Sequence, residues 1–141
     1  MARSFITHNQ EETKEVGHKL AALLPNGSVV LLKGDLGAGK TTLVRGVAEA
    51  LGITEKITSQ TFNIMKLYLK GTKPLVHIDA YRLEDRNEDI GLDEFIGIDR
   101  GLTFIEWPDY INKLIPENAF SINIKNIGND DRELTLEGIE L

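Results

Sequence analysis

The sequence contains no cysteine. A disulfide framework is therefore excluded, as is any metal site built on thiolates. No apolar run approaches the ~20 residues that a membrane-spanning helix requires. The opening Met1-Ala2-Arg3-Ser4-Phe5-Ile6 soon meets charged residues and lacks the apolar stretch of a secretory leader, so a cytoplasmic location is expected. Positive charge is also scarce: 16 Lys and Arg stand against 22 Asp and Glu, a net charge of −6. A bare electrostatic grip on RNA or DNA needs a basic face, so any nucleic-acid role is expected to run through a partner. Internal repeats, low-complexity segments and interdomain linkers are absent. The 141 residues suffice for one well-formed core and not for two, which predicts a single domain over residues 1–141. Hydrophobic residues at 41% and charged residues at 27% place the chain in the soluble globular class.

Against these absences stands one dense motif, Gly34-Asp35-Leu36-Gly37-Ala38-Gly39-Lys40-Thr41. It fits G-x-x-x-x-G-K-[ST], the phosphate-wrapping P-loop. Glycines allow the backbone a positive φ, and the resulting turn points successive N–H groups inward as an anion nest. A helix starting there directs its positive end at the same phosphates. Lys40 adds a mobile cation, and Thr41 a hydroxyl for Mg²⁺. Chance supplies this pattern in about 1% of chains this long. Context argues further against chance. Ser28-Val29-Val30-Leu31-Leu32 reads as a buried strand, and Lys40 to Leu51 as a helix with Leu43, Val44, Val47, Ala48 and Leu51 on one face.

The remaining elements follow from patterning. Ser4-Phe5-Ile6 reads as an edge strand. Asn9 is a helix N-cap with Glu12 at the capping-box position, and Val16, Leu20, Leu23 and Leu24 form that helix's buried stripe. Pro25-Asn26-Gly27 ends it, and Gly52 caps the P-loop helix. Ile64, Leu67 and Leu69 alternate with Lys66, Tyr68 and Lys70, then turn through Gly71-Thr72-Lys73-Pro74 into Leu75-Val76-His77-Ile78-Asp79, an antiparallel hairpin. A short helix is expected near Asn87-Leu92, and another over Asp109 to Ile115. Phe120 to Lys125 and Arg132 to Glu137 form a terminal hairpin about Gly128-Asn129-Asp130-Asp131.

Two acids complete the chemistry. In an open α/β sheet the binding crevice lies beyond the C-terminal ends of the strands. Asp79 follows Leu75-Val76-His77-Ile78, and Glu106 follows Leu102-Thr103-Phe104-Ile105. One would serve the metal and the other would orient an attacking water, and the residues alone leave that division open. Ile57-Thr58-Ser59-Gln60-Thr61-Phe62 reads either as a solvated loop or as a switch whose Ser59 and Thr61 sense the γ-phosphate. Trp107 reads as core or as a neighbour of the nucleotide, and His77 as a strand residue rather than a ligand.

Taken together, Gly34 to Thr42, Thr58-Ser59-Gln60-Thr61-Phe62, His77-Ile78-Asp79-Ala80-Tyr81-Arg82-Leu83 and Glu106-Trp107-Pro108 come in the order of the TsaE (formerly YjeE) family, and the chain resembles it over nearly its whole length. These are small bacterial P-loop ATPases of tRNA threonylcarbamoyladenosine (t6A) synthesis. The resemblance implies that the chain binds ATP with Mg²⁺, hydrolyses it weakly alone and joins a TsaB–TsaD pair, whose TsaD modifies adenosine 37 of tRNA. It implies nucleotide contacts at Gly34, Asp35, Leu36, Gly37, Ala38, Gly39, Lys40, Thr41, Thr42 and Trp107. Thr41 and Glu106 would face the metal, with Asp79 and Glu106 as catalytic carboxylates. The family pattern Ser-Pro-Thr-Phe is Ser59-Gln60-Thr61-Phe62 here, and losing proline frees φ at Gln60.

Other classes share the P-loop. A small-molecule kinase would need an acceptor site and a water-excluding lid, for which a short domain leaves little room. A nucleotide-gated binding module would use ATP only to order the switch. A GTPase would carry Asn-Lys-x-Asp, and Asn112-Lys113-Leu114-Ile115 lacks the final acid. The expected fold is α/β, a single P-loop NTPase domain with a parallel central sheet, flanking helices and added antiparallel hairpins.

Overall fold

The computed structural model describes residues 2–34, 38–55, 65–80, 94–107 and 113–139. Strand β1 (Ala2–Thr7) leads to helix α1 (Gln10–Leu23), strand β2 (Ser28–Lys33) and helix α2 (Lys40–Ala50). Strands β3 (Met65–Tyr68), β4 (Leu75–Asp79), β5 (Leu102–Glu106), β6 (Phe120–Gly128) and β7 (Asp131–Glu137) follow. They form one seven-stranded sheet in the order β1-β7-β6-β2-β5-β4-β3. Its centre, β6-β2-β5-β4, is parallel. Antiparallel partners extend both sides, β3 against β4, and β7 and β1 beyond β6. This is a mixed α/β architecture with the two hairpins that patterning predicts.

Side-chain alternation sorts the strands into two faces. On one face Val30, Leu32, Leu75, Leu102, Phe104, Ile122, Ile124, Leu134 and Leu136 join the apolar stripes of both helices in one cluster. On the other, Val29, Val76, Ile78 and Ile105 meet Phe95, Ile96, Ile98, Leu114 and Ala119 from connecting segments. Among the described residues, then, the flanking helices expected on both faces lie on one only. Crossover handedness accounts for this. The connections β1→β2 and β2→β4 both run toward β4, so right-handed crossovers place α1 and α2 on the same side, while β4→β5 and β5→β6 run back and cross the opposite side. The expected helix near 87–92 lies outside the described residues, as does most of that expected over 109–115.

Two assignments of individual side chains are corrected. Leu23 is 53% exposed, because α1 is already ending where its stripe would bring that residue round; Val16, Leu20 and Leu24 are buried as expected. In β3 the parity is reversed at its end: Tyr68 is buried and Leu69, just past the strand, is 63% exposed. Pairing with Leu75 carries Tyr68 inward, and the chain leaves the sheet before Leu69 can alternate.

The N-terminus of α1 is capped as the sequence suggests. Asn9 Oδ1 accepts from Glu12 N at 2.9 Å, and Glu12 Oε1 accepts from His8 N at 2.8 Å, one residue before the usual capping-box partner. Asn9→Ala should remove about 1 kcal/mol and lower the melting temperature by roughly 3 °C, measured by scanning calorimetry. An unchanged midpoint would show the cap to be energetically idle.

Candidate functional site

The parallel strands β2, β4 and β5 end on the same edge of the sheet. Asp79 and Glu106 are register partners there, and Leu32 is the β2 partner of Glu106. Alternation puts Leu75, His77 and Asp79, and likewise Leu102, Phe104 and Glu106, on the helix-covered face. The chain leaves β2 through Gly34 and enters α2 at Lys40. This is the crevice position of an open α/β sheet, beside the strand where the connections change direction.

Backbone geometry explains two of the glycines. Gly34 has φ +146, and a Cβ on it would collide with the carbonyl oxygen of Ile124 in β6. Gly39, the residue before α2, has φ +107. Both conformations disfavour a side chain. Asp35, Leu36 and Gly37 lie outside the described residues, as do Ser59, Gln60 and Thr61.

Lys40 is buried, an unusual state for a lysine unless it is paired. Its Nζ donates to the Gly34 carbonyl oxygen at 2.7 Å, lies 3.8 Å from Glu106 Oε1 and sits 4.5 Å from the centroid of the Trp107 ring. Glu106 is also buried, and its Oε2 lies 2.6 Å from His77 Nε2. Trp107 follows at φ +57, a left-handed backbone that turns the chain sharply as it leaves β5. Three partners of different chemistry thus surround one ammonium group: a carbonyl dipole, a carboxylate and an aromatic face.

A cavity of about 320 Å³ opens beside this cluster. Gly39, Lys40, Thr41, Thr42 and Glu106 line one side, and Asn9, Gln10, Thr13, Asp130 and Arg132 line the other. Of the other candidates, Gly34 and Ala38 support the cradle from behind, Trp107 reaches the site through Lys40, and Asp79 stands next to Glu106 in the sheet without lining the cavity.

The second wall was missed in reading the sequence. It comes from the start of α1 and from the β6–β7 turn, elements at opposite ends of the chain. Arg132 carried one usable signal: it shares parity with Leu134 and Leu136, which puts it on the helix-covered face. Its Nη1 donates to Asn126 Oδ1 and to the carbonyl oxygens of Asn129 and Asp131, so the guanidinium is fixed by its own hairpin. The contact of His77 with Glu106 was also missed, for it needs a partner 29 residues away.

Among the described residues no three His, Asp or Glu side chains converge on a point that could hold a metal. Among the oxygens at the cavity, the Thr41 hydroxyl and the Glu106 carboxylate beside Lys40 are hard donors that suit Mg²⁺, which takes few protein ligands and fills its shell from water and phosphate. A buried cation, a Gly34 position closed to any Cβ and hard oxygen donors fit a magnesium–nucleotide polyphosphate.

Known proteins match this chain over most of its length. The family model described as threonylcarbamoyl adenosine biosynthesis protein TsaE matches residues 7–134. The chain belongs to the TsaE family. A Bacillus subtilis relative, tRNA threonylcarbamoyladenosine biosynthesis protein TsaE, is 46% identical over 133 residues, covering 94% of this chain and 84% of the relative. The protein of the same name from Treponema pallidum is 37% identical over 133 residues, covering 93% and 97%. The crystal structure of Bacillus subtilis YdiB superposes with a TM-score of 0.82 at 40% identity, covering 96% of this chain and 84% of that one. For a TsaE-family chain the two-walled cavity is the natural place to look for chemistry.

Proposed function

We propose that this chain is a Mg²⁺-dependent P-loop ATPase of tRNA threonylcarbamoyladenosine biosynthesis, working in the cytoplasm as a single domain with a TsaB–TsaD pair. The observation that carries the reading is Lys40, a buried cation at the start of α2, held at the mouth of a cavity by groups a phosphate can replace. The names of the relatives supply the pathway, and the net charge of −6 agrees with tRNA being held mainly by the partners.

In this reading Lys40 exchanges the Gly34 carbonyl for phosphate oxygens, an exchange of a neutral acceptor for a charged one and hence favourable. The first turn of α2 presents its N–H groups to the same phosphates. Thr41 and Glu106 supply oxygens to Mg²⁺, which when bound neutralises charge on the phosphate oxygens. Glu106, which lines the cavity, would hold the water that attacks the γ-phosphorus as the bond to the bridging oxygen breaks, giving ADP, phosphate and a proton, with Asp79 as the second carboxylate beside it at the neighbouring strand end. Arg132 and the start of α1 close the far wall around the nucleotide.

The test is phosphate release by the purified chain, with and without Mg²⁺ and with and without TsaB–TsaD of the same organism. The expected result is slow, Mg²⁺-dependent turnover that rises with the pair. Binding without turnover under every condition would favour a nucleotide-gated module instead. Phosphate appearing on an added metabolite would favour a kinase.

A further inference from the structure

We propose that His77 is a positioning residue for Glu106: its Nε2–H fixes the carboxylate so that Oε1 is the oxygen offered to the metal–nucleotide side of the site. The proposal rests on the reading of Glu106 as a working carboxylate. The geometry comes from neighbouring strands. His77 and Phe104 are register partners in β4 and β5, and Glu106 lies two residues beyond Phe104 on the same face, which brings the imidazole under the carboxylate. The Nε2···Oε2 distance is 2.6 Å, a close contact at the short limit for hydrogen bonds between nitrogen and oxygen. Oε1, left over, is the oxygen 3.8 Å from Lys40 Nζ.

A packing role alone does not account for an imidazole here. His77 is fully buried, and the nearest side chains on its face of β4 and β5 are the apolar Leu75, Leu102 and Phe104, with Asp79 and Glu106 at the strand ends. Burying a polar ring costs free energy unless both nitrogens are satisfied. Among the described residues Nδ1 has no hydrogen-bond partner. An apolar side chain would fill the same volume without that penalty. What histidine adds is one N–H aimed at one carboxylate oxygen. With Glu106 Oε2 as the acceptor, the hydrogen of this contact sits on Nε2. A glutamate has three side-chain torsions, and fixing them during folding removes that ordering from the binding step. Hydrogen bonds that orient a metal-side carboxylate in this way typically change metal affinity or activity by about 10- to 100-fold when removed.

The experiment combines kinetics and NMR on the full chain. His77→Phe should lower kcat about tenfold and raise the Mg²⁺ concentration for half-maximal turnover by about tenfold, with Mg²⁺-free ATP affinity within about twofold of wild type. His77→Gln, whose amide N–H reaches the Nε2 position, should recover most of the loss. In a Glu106→Gln background His77→Phe should add little, since both act through one carboxylate. Wild-type kinetics in His77→Phe beside an impaired Glu106→Gln would overturn the proposal and leave the ATPase reading standing. An equal loss from His77→Phe in both backgrounds would do the same, marking a purely structural effect. Full activity in Glu106→Gln would remove Glu106 from the mechanism and overturn the proposal with it, again leaving the ATPase reading standing. Should the Phe variant fail to fold, long-range ¹H–¹⁵N spectra of the wild-type protein decide: a hydrogen on Nε2 supports the proposal, and a bare Nε2 overturns it.

Discussion

Gly46→Ala is expected to lower the melting temperature by roughly 10 °C, corresponding to about 3 kcal/mol. Alanine is the better helix former, by up to about 1 kcal/mol, so a solvent-facing glycine at this point of α2 would give the opposite sign. Gly46 instead faces α1 at the point where the helices touch. A Cβ there would strike the carbonyl oxygen of Lys14 and stand 2.7 Å from its Cα and 2.8 Å from its carbonyl carbon. The other side of the crossing is equally tight: a Cβ on Gly17 would lie 2.5 Å from the Leu43 oxygen and 2.7 Å from the Val47 nitrogen. All of these are backbone atoms, which cannot rotate away, so α1 must move bodily off α2. That movement would also carry Asn9, Gln10 and Thr13 away from the cavity, so ATP affinity should fall with stability. Calorimetry and ATP titration together check this. A melting temperature equal to or above that of the wild type would show that the helices do not cross so closely.

Lys40→Met is expected to weaken Mg–ATP binding by about 100-fold, the equivalent of losing one strong charge-assisted contact. Methionine approximates the length and apolar body of the lysine stem, so the fold should survive while the ammonium is lost. Trp107 makes the result visible. It is the only tryptophan, and the Lys40 ammonium sits 4.5 Å from its ring. In the wild-type protein ATP should change tryptophan emission as the cation leaves the ring for phosphate; in the Met variant the emission should stay flat. Wild-type affinity in Lys40→Met, by calorimetric titration, would remove this residue from the nucleotide site.

Much of the architecture is legible because local patterns and tertiary demands agree. The apolar period of α2, the alternation in β6 and β7 and the glycine-rich turn each point to one answer. Disagreement arises where a pattern runs past the end of its element, as at Leu23 and Leu69. The layering is harder, since one-sided helices follow from strand order, and strand order is a property of pairs far apart in sequence. The site divides the same way. Lys40, Thr41 and Glu106 announce themselves by motif and by strand-end position. Asn9 signals only a helix cap, Arg132 only an alternating strand, and His77 only an inward strand position. Asn9 and Arg132 come together only when β1, β7 and β6 are laid beside β2, and His77 meets Glu106 only when β4 is laid beside β5.

That lateral order has a consequence for synthesis on the ribosome. Strand β1 emerges first and yet pairs with β7, so that Ser4 and Thr135, 131 positions apart, share a hydrogen bond of 2.9 Å. Strand β2 likewise waits for β5 and β6 on its two sides. A nascent chain that ends just after α2 holds the start of α1 and the Lys40 side of the cavity, but lacks both Glu106 and the Arg132 hairpin. The cavity is thus complete only once the last hairpin has been made, however early its glycine-rich turn emerges.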